Sequence, residues 1–355
     1  MNPDVITLEG LNLNAEEIAK QHGSLVENDA AKSLLKQWRS VAQSLKFHPK
    51  AIWKKEPPEV HVHIVANPKV NAFACPSDDG YAIVMFGGLI KALYDIFNAL
   101  LADPRSYPAI GYSLGETASV EHKNVYYSLF DLLEDGVEQT PLDPYRGGFA
   151  AHIAELSLRF AFNHELYHVL LGHVDLIGES QPLFEFGPSC SASARNRAIE
   201  MHADECAFRN CIYWVLDSIE GVETEDPMTF YVNTIDAQML DFFAATYTLF
   251  QLFDAMESGS HPNPVHRQAR LCLILDYMVD FHKINLEHPA TEIIGTVMNN
   301  VDLYMEEILG VNWDDRRKET ERILTVDIKT EMAPYSVHVR DLYPKLERLA
   351  YVDVR

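Results

Sequence analysis

Two histidines one helical turn apart, His164 and His168, bracket a glutamate, Glu165, in the run FNHELYHVLLGH. Side chains at i and i+4 share a helix face, so both imidazoles can aim a ring nitrogen at one ion, at the about 2.0–2.1 Å of a zinc–nitrogen bond. Glu165 lies beside them without being a ligand. Its carboxylate can take a proton from a water in the metal's open position and later return it to a leaving group. Five residues in this pattern can fall together by chance in a histidine-rich chain, so the setting matters. Phe160, Ala161, Phe162, Val169, Leu170 and Leu171 would bury this helix. Buried imidazoles need partners, and a metal satisfies two of them at once.

A catalytic zinc site takes three protein ligands and leaves one position open. The best third ligand is Glu200, in the run IEMHADECAF on the next helical stretch, where Glu200 and Asp204 are again one turn apart. Small Ala203 would let this helix approach the first. Glu200 then binds the ion, while Asp204 accepts the other ring proton of a ligand histidine and fixes its orientation. Two histidines compete for the third place. His173 follows His168 by five residues, whereas the extended three-histidine pattern needs six, so it reads as a helix-end residue. His202 points about 200° round the helix from Glu200 and stays open as a weaker candidate.

The elements that must carry these residues can be read from periodicity. Residues 14–47 have apolar positions at helical spacing, and Pro57-Pro58 ends that region. VHVHIV (60–65) alternates, VNAFAC (70–75) is extended, and YAIVMF (81–86) is a short apolar run after the turn-like SDDG, which together predict a small antiparallel sheet. Helical patterns follow over 87–101, 119–134, 149–173, 193–218, 229–256, 264–285 and 289–308. The Pro-, Gly- and Ser-containing stretch 174–192 reads as a loop between the two long helices of the metal pattern. Residues 309–355 mix short apolar alternation with polar turns. The expected fold is α+β, mainly α.

Composition limits the function. With 355 residues, 47% apolar and 23% charged, the chain can bury a large core and a partly dry site. Acidic residues outnumber basic ones 52 to 29, a formal charge of -23, so nucleic acid is not an expected partner. The longest basic runs, Lys54-Lys55 and Arg316-Arg317-Lys318, are short and flanked by acids. Five scattered cysteines with no CxxC pair argue for a reducing compartment. The start has no basic region ahead of an apolar stretch, as a secretory signal would. The apolar stretches 81–101 and 242–256 are broken by Lys91 and Asp95 or too short, so no membrane span is expected. The expected location is cytoplasmic.

Taken together, HELYH (164–168), EMHAD (200–204), HPNPVHRQARL (261–271) and the earlier VNAFACPSDDGYAIVMFGGLI resemble, in family order, the gluzincin metallopeptidases of the HtpX and CAAX-prenyl-protease type. The four matches cover about 200 residues. The resemblance implies a zincin-like helical core with the sheet lining the cleft, and a single zinc ion (Zn2+) per chain. It implies that Asn71, Ala72 and Phe73 line the cleft and pair with an extended peptide. It suggests that His261 stabilises the oxyanion. His-Pro ahead of an amphipathic helix is also a rigid start from which a polar side chain can be aimed, or simply a helix start. Arg267 and Arg270 are expected to support the site by pairing with buried acids such as Asp204. Members of this type commonly sit in membranes. A looser similarity to the Lit-type phage-exclusion peptidases, which keep the motif order without spans, raises a role in defence or stress.

The expectation is therefore a soluble zinc endopeptidase with a protein or peptide substrate, divided into an N-terminal helical region (1–57), a metallopeptidase domain (58–308) and a C-terminal extension packed on the core (309–355). Its rival is a zinc-binding regulatory protein without catalysis. A third reading is an enzyme held latent by residues 174–192 or by the C-terminal segment. Oligomeric state is not encoded in any of these patterns.

Overall fold

The computed structural model describes residues 15–26, 29–46, 53–116, 140–178, 192–219, 234–256, 262–309, 314–325 and 328–352. The order of elements is α1 (Ala15–His22), α2 (Asp29–Lys46), β1 (Val60–Val65), β2 (Ala72–Ser77), β3 (Gly80–Phe86), α3 (Gly87–Ala102) and α4 (Pro144–Leu170). Then come α5 (His173–Gly178), α6 (Ala192–Ile219), α7 (Ile235–Met256), α8 (Pro264–His282), α9 (Ala290–Leu309), α10 (Asp314–Thr325) and α11 (Ile328–Leu349). The protein is mainly helical with one small sheet, as the periodicity predicts. None of the described helices is long and apolar enough to cross a membrane. The expected helix at 119–134 and residue Cys190 lie outside the described residues, as does the chain start.

The sheet corrects one expectation. Its three strands run β1-β3-β2, with β1 parallel and β2 antiparallel to β3, so it is mixed rather than antiparallel. The cause lies in β3, whose residues Tyr81 to Phe86 are all buried. A strand with no polar face belongs in the middle, covered on both sides, and the β2–β3 hairpin puts it there. The alternating VHVHIV of β1 takes an edge. One sheet face buries Val65, Cys75, Ala82, Val84 and Phe86 against Ile18 of α1.

Helical periodicity over 14–47 hides a break. Gly23 has φ +112°, and a Cβ there would lie 2.7 Å from the Ala66 carbonyl oxygen. The chain leaves the helix at this residue and runs beside β1, with Val26 N–H donating to Ile64 O at 2.9 Å and Ala66 N–H to Ser24 O at 2.7 Å. Only a residue that tolerates left-handed backbone without a side chain permits this approach.

The chain forms two compact units. The first comprises residues 1–87, 162–207 and 334–355, and the second 88–161 and 208–333. In the first unit a core cluster joins Leu171, Leu176, Ile199, Leu342, Leu346 and Ala350 from α5, α6, α11 and the turn before α5. The last residues close on it: Tyr351 N–H donates to Leu170 O at 2.7 Å, Lys54 N–H donates to Tyr351 O at 2.9 Å, and Trp53 bridges Val352. The described residues of 309–355 are thus two helices and a clasp at 350–352, not alternating turns, and the segment divides between the units.

The second unit buries Phe160, Phe208, Phe242, Phe243 and Phe250 around α7. The fully buried Arg146 ties its loop in place, donating to the carbonyls of Leu101, Asp103, Ser106, Tyr107 and Ile110 at 2.6–3.0 Å. Asp143 caps α4 by accepting from Tyr145 N–H at 2.7 Å, with Pro144 at the first helical position. That start lies five residues ahead of the expected 149.

Candidate metal centre

Residues 160–164 and 168–170 of α4 are all buried, so His164 and His168 face the interior on a largely covered stretch of helix. His164 and His168 are 6% and 8% exposed. α6 meets them through Glu200 and Asp204, and Ala203 between these two is fully buried. Across this contact Nε2 of His164 and Nε2 of His168 lie 3.0 Å apart, and the Glu200 carboxylate reaches both, at 3.1 and 3.6 Å. The ligand atoms of His164, His168 and Glu200 all fall within 4.8 Å of one another. Two imidazole nitrogens and a carboxylate oxygen facing one point are the donors that zinc and similar divalent ions take. The residues fit a metal.

The supporting partners differ between the two rings. Nδ1 of His164 donates to Asp204 Oδ1 at 2.8 Å, and Asp204 is fully buried. Burial acts against charge on His164, but its bonds to Asp204 and Glu200 outweigh it and raise the pKa to about 10. In the absence of an ion this ring is an imidazolium held between two carboxylates. Nδ1 of His168 instead faces Nδ1 of His173 at 3.1 Å, and Nε2 of His173 faces Nδ1 of His202 at 3.2 Å. Burial, then the neighbouring imidazoles, push His173 well below the usual histidine value, so it is neutral.

His173 and His202 are therefore not in the ligand cluster but behind it. Spacing excludes His173 as a metzincin-type ligand but does not reveal this contact. The clue in the sequence is Gly172. At φ +74° it ends α4 and turns the chain, and a Cβ there would lie 2.6 Å from Leu349 Cβ, so His173 folds back under His168. Tyr81 then fixes α5 from the sheet, its hydroxyl 2.9 Å from both Asp175 oxygens.

Glu165 is half-buried beside the cluster. Burial, and after it the Glu165 carboxylate, raise the Cys75 thiol to about 12. β2 is an edge strand, with no further strand paired to it among the described residues. Asn71 precedes it: its carbonyl accepts from Phe86 N–H at 3.1 Å and its side chain from Ala72 N–H at 2.9 Å. Ala72 is buried, and Phe73 packs on His22 and Phe86. Arg267 lies in the second unit, buried on α8 with its guanidinium 3.9 Å over the Phe250 ring. His261 lies outside the described residues. Asn263 caps α8 by accepting from Val265 N–H at 2.8 Å, with Pro264 at the first helical position.

Comparison with family models, curated proteins and solved structures finds no significant match to this chain. The functional reading rests on the chemistry of the site.

Proposed function

We propose that this protein is a soluble zinc-dependent endopeptidase that holds one zinc ion through His164, His168 and Glu200. The observation that carries the reading is the convergence of these three side chains in a buried cluster, with Asp204 behind His164 and Glu165 at its side. Among the described residues the cluster has three ligands, the number of catalytic rather than closed structural sites. A zinc ion held there would supply Lewis acidity toward a scissile carbonyl and make water acidic enough to attack at neutral pH. Glu165 takes the proton from that water and hands it to the amine nitrogen as the peptide bond breaks, serving as base and then acid. Asp204 keeps the proton of His164 on Nδ1 and so keeps Nε2 facing the cluster. The outer edge of β2, with Asn71, Ala72 and Phe73, is assigned to an extended substrate backbone. His261 is assigned the oxyanion, and five scattered cysteines with no CxxC pair in the sequence support a cytoplasmic setting.

The test compares wild type with Glu165→Gln for zinc content and for cleavage of an unstructured protein. The expected result is one zinc per chain in both and cleavage by wild type alone. Equal cleavage by the variant overturns the mechanism. Zinc bound without turnover, and no access for a hydroxamate, turns the reading toward a non-catalytic zinc-binding regulator.

A further inference from the structure

A metal ligand's ring nitrogen must present a lone pair, so the proton of a neutral ligand histidine sits on the other nitrogen and needs an acceptor. For His164 that acceptor is the Asp204 carboxylate. For His168 it is an imidazole, Nδ1 of His173 at 3.1 Å. The tautomers then follow in sequence. If His168 carries its proton on Nδ1, His173 must accept on Nδ1 and carry its own on Nε2. That nitrogen lies 3.2 Å from Nδ1 of His202, which must accept in turn.

We propose that His173 is a positioning residue for the metal ligand His168 and that His202 fixes its tautomer, a chain of three imidazoles whose proton order is set from the metal side. The inference rests on the metal reading of the His164, His168 and Glu200 cluster, and is independent of whether the site cleaves peptides. The chain has a physical reason to be neutral. Glu200 and Asp204 already supply two negative charges against a divalent cation, so a third buried carboxylate behind His168 would leave uncompensated charge in a water-poor interior. His173 is 0% and His202 5% exposed, so water does not compete for these bonds. The framework holds the order mechanically. Gly172 directs His173 under His168, Tyr81 anchors α5 at Asp175, and α6 bears both His202 and the ligand Glu200. The two long helices are thus joined on one side through the cluster and on the other through the imidazole chain.

The experiment measures zinc affinity by chelator competition in the full chain for wild type, His173→Phe and His173→Asn. The amide oxygen of asparagine lies near the place of Nδ1 and can accept the His168 proton, whereas phenylalanine cannot. His173→Phe is expected to weaken zinc binding by about 10–100-fold, and His173→Asn to restore most of it. Equal affinity for His173→Phe and wild type overturns the proposal, as does an asparagine variant no better than phenylalanine. Nitrogen-15 NMR of the zinc-loaded wild type needs no substitution: protons on Nδ1 of His168 and Nε2 of His173 and His202 are expected, and a proton on Nδ1 of His173 overturns it. Wild type that binds no zinc overturns the metal reading and this inference together, whereas tight binding with an unaffected His173→Phe overturns this inference alone.

Discussion

Asp204 Oδ1 lies 2.8 Å from Nδ1 of His164, a fully buried carboxylate fixing the ring whose other nitrogen faces His168 and Glu200. Its charge raises the affinity of His164 for a proton as well as for a metal, so the two compete. With the metal-free pKa raised to about 10 from 6.5, metal binding near neutrality must expel this proton. Apparent zinc affinity should rise with pH, by up to about tenfold per unit, until pH passes about 10. Asp204→Asn should lower affinity by about 10–100-fold at pH 7 and flatten that slope, read by chelator competition at several pH values.

The same shift has a signed effect on stability without metal. A raised folded pKa adds stability that is complete below about 6.5 and is lost as pH rises through about 10. Chemical denaturation of the chelated protein should therefore show weakening from pH 7 to 10 that Asp204→Asn reduces.

Gly172 at φ +74° has Leu349 Cβ and Ala350 N within 2.6 and 2.9 Å of where a Cβ would stand. Gly172→Ala should cost about 1–3 kcal/mol of backbone strain in addition to the clash, measured by urea denaturation. Because His173 is the next residue, zinc affinity should fall with it.

Arg146 satisfies five backbone carbonyls between Leu101 and Ile110. Arg146→Met takes this donor from the Leu101, Ser106 and Ile110 carbonyls, while those of Asp103 and Tyr107 keep the Ser106 and Ile110 N–H groups; at about 1–3 kcal/mol for each buried acceptor left unsatisfied the loss should reach about 3 kcal/mol or more. Lysine offers three donors and should recover only part of it, as judged by thermal unfolding.

Glu319 on α10 accepts from Arg322 at 2.8 Å and from His266 of α8 at 2.9 Å. The Arg322 bond, partly opposed by burial and aided by His266, holds its carboxyl at about 2. This stability is present above the ordinary value of 4.5 and is lost as pH falls toward 2. Because the pair is partly solvated, Glu319→Gln should cost about 1 kcal/mol at pH 7 and less at pH 3, seen as a reduced pH slope in denaturation.

Much of the site was legible because it depends on short-range spacing. One turn separates His164 from His168 and Glu200 from Asp204. The order of strands was not, although YAIVMF has the unbroken apolar character of a central strand. Pairing depends on where a hairpin is placed, which spacing does not encode. A ligand count passes over His173 because it asks only about the metal, whereas the contact of His173 is with the far side of His168. The tail misled for a local reason: Pro334 and Pro344 sit inside α11, where proline ordinarily marks a break.

The bond from Tyr351 N–H to the Leu170 carbonyl sets an order of events in time. The unit that contains the metal cluster draws on residues 1–87, 162–207 and 334–355, with the 208–333 segment made in between. During synthesis the two histidines and Glu200 emerge long before the strand-like clasp at 350–352 that closes behind them. Pairing across such separations pays its loop-closure entropy first and gains its contacts last. A nascent chain of 300 residues already carries every ligand but not yet residues 334–352, so the centre waits for its backing on a segment made more than a hundred residues after Glu200.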